Sequence, residues 1–205
     1  MYSLELITAP SEQPITLAEA KKQVEVATAI THHDDHLTRL IKAATQHAET
    51  YTHRQLLTAV YEINIDRFPA DSERIDIPLP PLAWDAANNW VKYYDVDGDQ
   101  QTLSTDVYKV LDNQEPGQIA LKYGQSWPSV YAEAESVTIR FSAGYADTAA
   151  ELADSEELLK AALLLLVEAF WRRDYDQTYA KQIKAAEALL EQYCPGDEFV
   201  EYTIE

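Results

Sequence analysis

The sequence predicts an α+β protein in which a helical core of about four helices carries a β-rich insertion between the second helix and the core helix. Three observations carry this. Residues 161–171 are apolar at every position but Glu168, so a helix there is apolar on nearly every face and must be enclosed by other elements. Residues 34–52 place their apolar side chains on a single stripe at helical spacing. Between 58 and 149 the apolar residues recur at period two, with turn residues at roughly ten-residue spacing, the signature of short strands in a small twisted sheet or sandwich.

In chain order, Tyr2 to Ile7 alternates enough for a short strand or an extended arm, and Pro10 and Pro14 keep the next residues out of a helix. The first helix starts at Thr16. Thr16 and Glu19 form a capping box, Ile15 is the hydrophobic staple, and Leu17, Ala20 and Val24 carry the helix to about Val26. Asp34 and Asp35 open the second helix, whose Leu37, Leu40, Ile41, Ala44, Ala48 and Tyr51 should face the core helix; it ends near Thr52.

The strands follow. Tyr61, Ile63 and Ile65 alternate with polar residues, Arg74 to Ile77 repeats the pattern, and Pro78, Pro80 and Pro81 break it. Trp90 to Tyr94 and Gln101 to Leu103 flank the hairpin signal Asp97-Gly98, while Val107 to Leu111 and Gln118 to Lys122 flank Pro116-Gly117. Val137, Ile139 and Phe141 make the last strand.

The core helix is read from Asp154 to Asp174, with Asp154 capping toward Glu157 and with Arg172 and Arg173 at the end where the macrodipole favours cations. A final helix carries Tyr179, Ile183, Ala186, Leu190 and Tyr193 on one face and stops at Pro195-Gly196. The expected division is a helical core of residues 1–57 and 150–195, a β-rich insertion over 58–149, and an acidic C-terminal tail over 196–205.

Composition excludes several classes. With 205 residues, 46% hydrophobic and 25% charged, the chain can bury a sizeable core. Its 16 basic against 35 acidic residues give a net charge of −19, which opposes wrapping nucleic acid or lying on anionic lipid. The longest apolar run is too short to span a bilayer. One cysteine, Cys194, forbids an internal disulfide, and Met1 to Ala9 lacks the basic start and apolar run of a signal peptide, so a reducing cytoplasm is the expected place of synthesis.

No catalytic or cofactor site is expected. His32 and His36 are four apart beside His33, Asp34 and Asp35, a spacing that suits metal ligands and equally a polar helix start. Asp95, Asp97 and Asp99 resemble the opening of a calcium loop, but the glycine is at the fourth position and the twelfth is Asp106, so a hairpin tip explains them better. Five glycines and no phosphate loop or nucleophile elbow leave no nucleotide cradle. Cys194, before a proline at a helix end, reads as structural. Trp84, Trp90, Trp127 and Trp171 read as core or subunit-contact residues, because base stacking comes with positive charge nearby.

Seven phrases and their order resemble the head-tail connector (adaptor, head-completion) proteins of long-tailed double-stranded DNA phages and prophages. They are Pro14 to Val26, Tyr51 to Leu56, Ile77 to Leu82, Tyr93 to Leu103, Tyr123 to Pro128, Val137 to Asp147, and the core helix. The resemblance covers about residues 3–175, and the order of the phrases carries it. His53 departs from the family pattern, which has glycine there; glycine suits a left-handed helix exit, so the turn after Thr52 is expected to be altered.

The resemblance implies a non-enzymatic virion protein at the head-tail junction, made in the host bacterial cytoplasm. It implies a homo-oligomeric ring, dodecameric in the virion, that sits below the portal protein and extends the DNA channel. DNA passes without specific binding, no membrane is involved, and a tail or stopper protein docks on the ring. The alternating, unpaired tail supplies candidate portal-docking residues Phe199, Val200, Tyr202 and Ile204. The alternative reading is an acidic monomeric binding module, a DNA mimic or regulator.

Overall fold

A computed structural model describes residues 2–70, 72–172 and 178–194. Among them are five α-helices and eight strands in two antiparallel sheets, so the α+β class holds. The chain divides into two compact units: a helical unit within Pro10–Leu57 and Tyr145–Asp197, and a β unit within Met1–Ala9 and Thr58–Gly144.

In the helical unit, α1 (Leu17–Gln23) begins with the expected capping box between Thr16 and Glu19, but ends at Gln23 because Glu25 takes a left-handed φ of 59°. Helix α2 (Asp34–Thr52) buries Leu37, Ile41, Ala44, Ala48 and Thr52. The core helix is not capped where the sequence reading put it. Thr148, in extended backbone, forms a capping box with Glu151 and starts a short helix α3 (Ala149–Ser155), so Asp154 lies in that helix's last turn. The chain then kinks at Glu156 (φ −134°, ψ 60°) and α4 (Glu157–Trp171) follows without a side-chain cap.

Helix α4 packs against α1, α2, α3 and α5 (Thr178–Leu190), which is why it can be apolar on so many faces. Its Leu159, Leu163, Leu166 and Val167 meet Leu37, Ile41 and Ala48 of α2 and Ala186 and Leu190 of α5 in one apolar cluster. Charges at its margin are paired: Lys21, only 4% exposed, meets Asp34 at 2.5 Å, and Lys160 meets Glu19.

The β unit is a two-layer sandwich. The strands β1 (Tyr2–Thr8), β2 (Ala59–Ile65), β4 (Trp90–Tyr94), β5 (Gln100–Thr102) and β8 (Val137–Ala143) form one sheet in the order β1-β2-β8-β4-β5. The strands β3 (Arg74–Ile77), β6 (Tyr108–Leu111) and β7 (Gly117–Leu121) form the other in the order β3-β7-β6. Period-two alternation sends Ile63, Ile65, Val137, Ile139 and Phe141 of the first sheet and Ile75, Ile77 and Ile119 of the second into a shared core. Residues 1–9, grouped with the helical core in the sequence reading, join this unit because β1 pairs with β2.

Candidate functional site

The phrases Tyr51–Leu56 and Val137–Asp147 converge where the chain leaves the helical unit and comes back to it. His53 keeps the helix exit rather than altering it: it adopts the left-handed conformation itself (φ 53°, ψ 34°) and its N–H donates to the Glu49 carbonyl. Beyond it, Gln55 Nε2 donates to Glu49 Oε1 (2.8 Å) and to the Leu57 carbonyl (3.0 Å). Tyr145 N–H donates to the Leu56 carbonyl at 3.0 Å, and Leu57 and Ala146 form a parallel bridge. The outgoing and returning segments therefore run side by side.

The last described residues are tied to the same place. Arg54 Nε donates to the Tyr193 carbonyl, and its guanidinium lies 6.0 Å from the centre of the Tyr145 ring. Tyr193 meets Tyr145 edge-on and donates its hydroxyl to Glu156 Oε2 at 2.8 Å. Cys194 Sγ donates to the Tyr51 carbonyl at 3.5 Å. Burial, followed by the nearby Glu191, pushes the Cys194 thiol up, which makes it a poor nucleophile and agrees with a structural cysteine. Burial also pushes the Glu49 carboxyl up, against the opposing hydrogen bond from Leu56 N–H. Tyr193 is thus held by Arg54, Tyr145 and Glu156. The candidate docking residues Phe199, Val200, Tyr202 and Ile204 lie outside the described residues.

The other candidates are placed as follows. His33 and His36 pack around the Trp171 ring at 5.1 and 5.6 Å, and the His32 ring lies tilted against His33 at 3.9 Å. Among the described residues no group of three histidine, cysteine or acidic side chains is placed to hold a metal. Asp95 is the organiser of its hairpin: its carboxylate accepts the N–H groups of Asp97 (3.1 Å) and Asp99 (3.0 Å) and the Gln101 amide (2.8 Å). The Gln101 bond first, then the backbone donors, hold its carboxyl below the ordinary range.

Of the tryptophans, Trp84 meets Tyr108 edge-on and Trp127 stacks on Phe68 at 4.9 Å. Trp90 lies outside the core cluster: Lys92 Nζ lies 4.3 Å and the Arg140 guanidinium 4.9 Å from its ring centre, an outward-facing cation–π stack. Phe68, Trp127 and Val130 line an open cleft of about 580 Å³ in the β unit, together with Arg67 and Glu73.

Sequence reasoning missed two features. The anchor of Arg54 on Tyr193 joins residues far apart in the chain, and no local pattern signals it. The edge strand β1 exposes Leu4 (40%), Leu6 (51%) and Ile7 (38%), where alternation alone implied one covered face.

Residues 14–81 match the family model described as Phage gp6-like head-tail connector protein. No protein of curated function matches the chain in sequence. Among solved structures, the chain resembles a protein in the neck of an empty GTA particle computed with C6 symmetry, at TM-score 0.75 and 18% identity over 94% of this chain and 95% of that one. It also resembles a protein in the virion of a native gene transfer agent (GTA) particle (TM-score 0.73, 18% identity, 93% and 94% covered). A third likeness is to the neck of a native GTA particle computed with C12 symmetry (TM-score 0.72, 18% identity, 94% of each chain covered). At these identities the likeness is one of fold, and it extends well beyond the segment that the family model matches. The family model that matches residues 14–81 is similar in description to the connector family that the order of the sequence phrases resembles.

Proposed function

We propose that this protein is a structural component of a phage or prophage virion, a connector that assembles into a ring of twelve below the portal protein. The observation that carries the reading is the fold: nearly the whole chain superposes on a protein of particle necks, one of them computed with twelve-fold symmetry, and residues 14–81 match a connector family model. The ring extends the DNA exit channel and presents a surface to a tail or stopper protein. A net charge of −19 suits a passage that must not grip its cargo, because carboxylates near the channel repel phosphates at close range. The role is architectural and requires no catalytic group.

Residues Phe199, Val200, Tyr202 and Ile204 are the portal-docking segment in this reading, an alternating strand that orders on its partner. The fixed root at Arg54, Tyr145 and Tyr193 supports it, since a docking segment gains from starting at a defined point.

The test is the mass in solution across a concentration series, with and without portal protein, by light scattering and electron microscopy. A ring, formed alone or closed by portal, is the expected result. A monomer that ignores portal at every concentration would overturn the reading and favour an acidic binding module. Removing residues 196–205 is expected to abolish portal attachment while leaving the fold intact, and unchanged attachment would remove the docking role from the tail.

A further inference from the structure

The edge of β1 is open and carries a specific chemistry. It is the terminal strand of the five-stranded sheet, and among the described residues, 2–8 make no backbone hydrogen bonds beyond their ladder with β2. Folded proteins blunt such edges with shortness, lysine, proline or a covering segment. The opposite edge, β5, is blunted in this way: it is three residues long and entirely polar. β1 has seven residues, a bulge only near its end, and three exposed aliphatic side chains.

Its two faces differ. On the core side, Leu4 lies opposite Ile63 and Leu6 opposite Tyr61, so the apolar face of the sheet continues to the edge and stops uncovered. On the outer side the registers align Glu5, Glu62, Arg140 and Trp90 in one row across four strands. Arg140 is committed within that row: it pairs with Glu62 at 2.5 Å and lies over the Trp90 ring. Glu5 ends the row against like-charged Glu62 and has no ion pair among the described residues, while Ser3 beside it bonds Glu135, another acid. Like charges directly opposite on a sheet are unfavourable, and a cation in the vacant position beyond Glu5 would offset them.

We propose that the β1 edge takes up an extended segment of another protein in which a lysine or arginine stands between two apolar residues. The backbone of the segment would continue the ladder, its apolar side chains would cover Leu4 and Leu6, and its cation would face Glu5. By sequence this chain's own tail lacks the cation, since Val200-Glu201-Tyr202 carries Glu201 where the lysine or arginine should stand. Edge-to-edge pairing with the β1 of a second copy is disfavoured as well, since Tyr2–Thr8 holds no lysine or arginine to set against Glu5. The inference does not depend on ring formation.

The experiment uses the full chain, isotopically labelled, and two probe peptides, Ser-Thr-Val-Lys-Val-Thr-Ser and the same peptide with glutamate in place of lysine. Amide hydrogen exchange of residues 2–8 is the readout. The lysine peptide at millimolar concentration is expected to slow exchange of the outward amides of β1 by about tenfold, and the glutamate peptide to have little effect. In Glu5→Lys the preference should reverse, and in Glu5→Gln it should vanish; the side chain is exposed, so neither change disturbs the core. Equal effects of both peptides on the wild type, or none, would overturn the proposal. So would slow exchange in β1 that grows with protein concentration in the absence of peptide, because a second copy would then be the occupant.

Discussion

The helical unit and the β unit solve the same burial problem with different margins. In the helical unit most of the apolar surface is enclosed, Leu158 (45% exposed) and Ile30 (37%) excepted: α4 packs against four helices, both short helices start with capping boxes, and buried Lys21 has its carboxylate. In the β unit the interior is equally apolar, but a five-stranded sheet faces a three-stranded one, and the longer sheet reaches a strand whose apolar face stays uncovered. Core quality and surface completeness are therefore separate properties. A unit can be well packed inside and still be unfinished at an edge, and such an edge is where a partner is accommodated.

The largest effects are expected at the two cores. Leu163 and Phe141 are fully buried, one in each unit. Leu163→Ala should cost about 2–5 kcal/mol and Phe141→Ala about 3–5 kcal/mol, read by chemical denaturation, since each leaves a cavity in close packing. Costs well under 1 kcal/mol at Phe141 would mean that the sandwich is loosely packed and that the equality of the two cores is false.

A smaller effect probes tight packing in the β unit. A Cβ at Gly117 would stand 2.4 Å from Leu82 Cβ, so Gly117→Ala must shift the backbone at one of the two residues. The expected loss is about 1–3 kcal/mol in the same assay. Leu82→Ala removes the γ and δ carbons but keeps the Cβ at 2.4 Å, so pairing it with Gly117→Ala should relieve only part of the loss, whereas Leu82→Gly should relieve more.

Two milder changes sharpen the helical side. His53 holds a left-handed conformation that a side chain disfavours, so His53→Gly should stabilise by about 0.5–1 kcal/mol despite glycine's greater freedom when unfolded. Glu49 is raised above the ordinary carboxylate value of 4.5 by burial, so its contribution is most favourable when protonated and is lost as the pH rises through its folded value. Glu49→Gln, which keeps an acceptor oxygen, should therefore gain on the wild type as pH is raised from about 4 to neutral in denaturation series. A gap that narrows over that range would reverse the sign and remove the buried-acid account.

Most elements were legible in the sequence because their signals are local. The stripe of α2, the capping box at Thr16, the hairpin turn at Asp97-Gly98 and the alternation around Ile139 each lie within a few residues of one another. The break between α3 and α4 was misread, although Thr148 and Glu151 present the same pattern as Thr16 and Glu19; no glycine or proline marks Ser155-Glu156, and the apolar run beyond drew the helix start toward Asp154. The row from Glu5 to Trp90 and the Arg54 anchor were not legible, since both join residues that only tertiary register brings together. For the same reason the exposure of Leu4 and Leu6 could not be foreseen: alternation says that one face is apolar, but the width of the opposing sheet decides how far it is covered.

The parallel bridge between Leu57 and Ala146 has an engineering consequence. Bridged strands are about 4.8 Å apart, so the chain departs for residues 58–144 and comes back within a strand's width. The helical unit therefore meets that stretch as a socket with two adjacent pins. Cassettes of other lengths and shapes, a short turn included, can be wired across it without asking α2 or α3 to move.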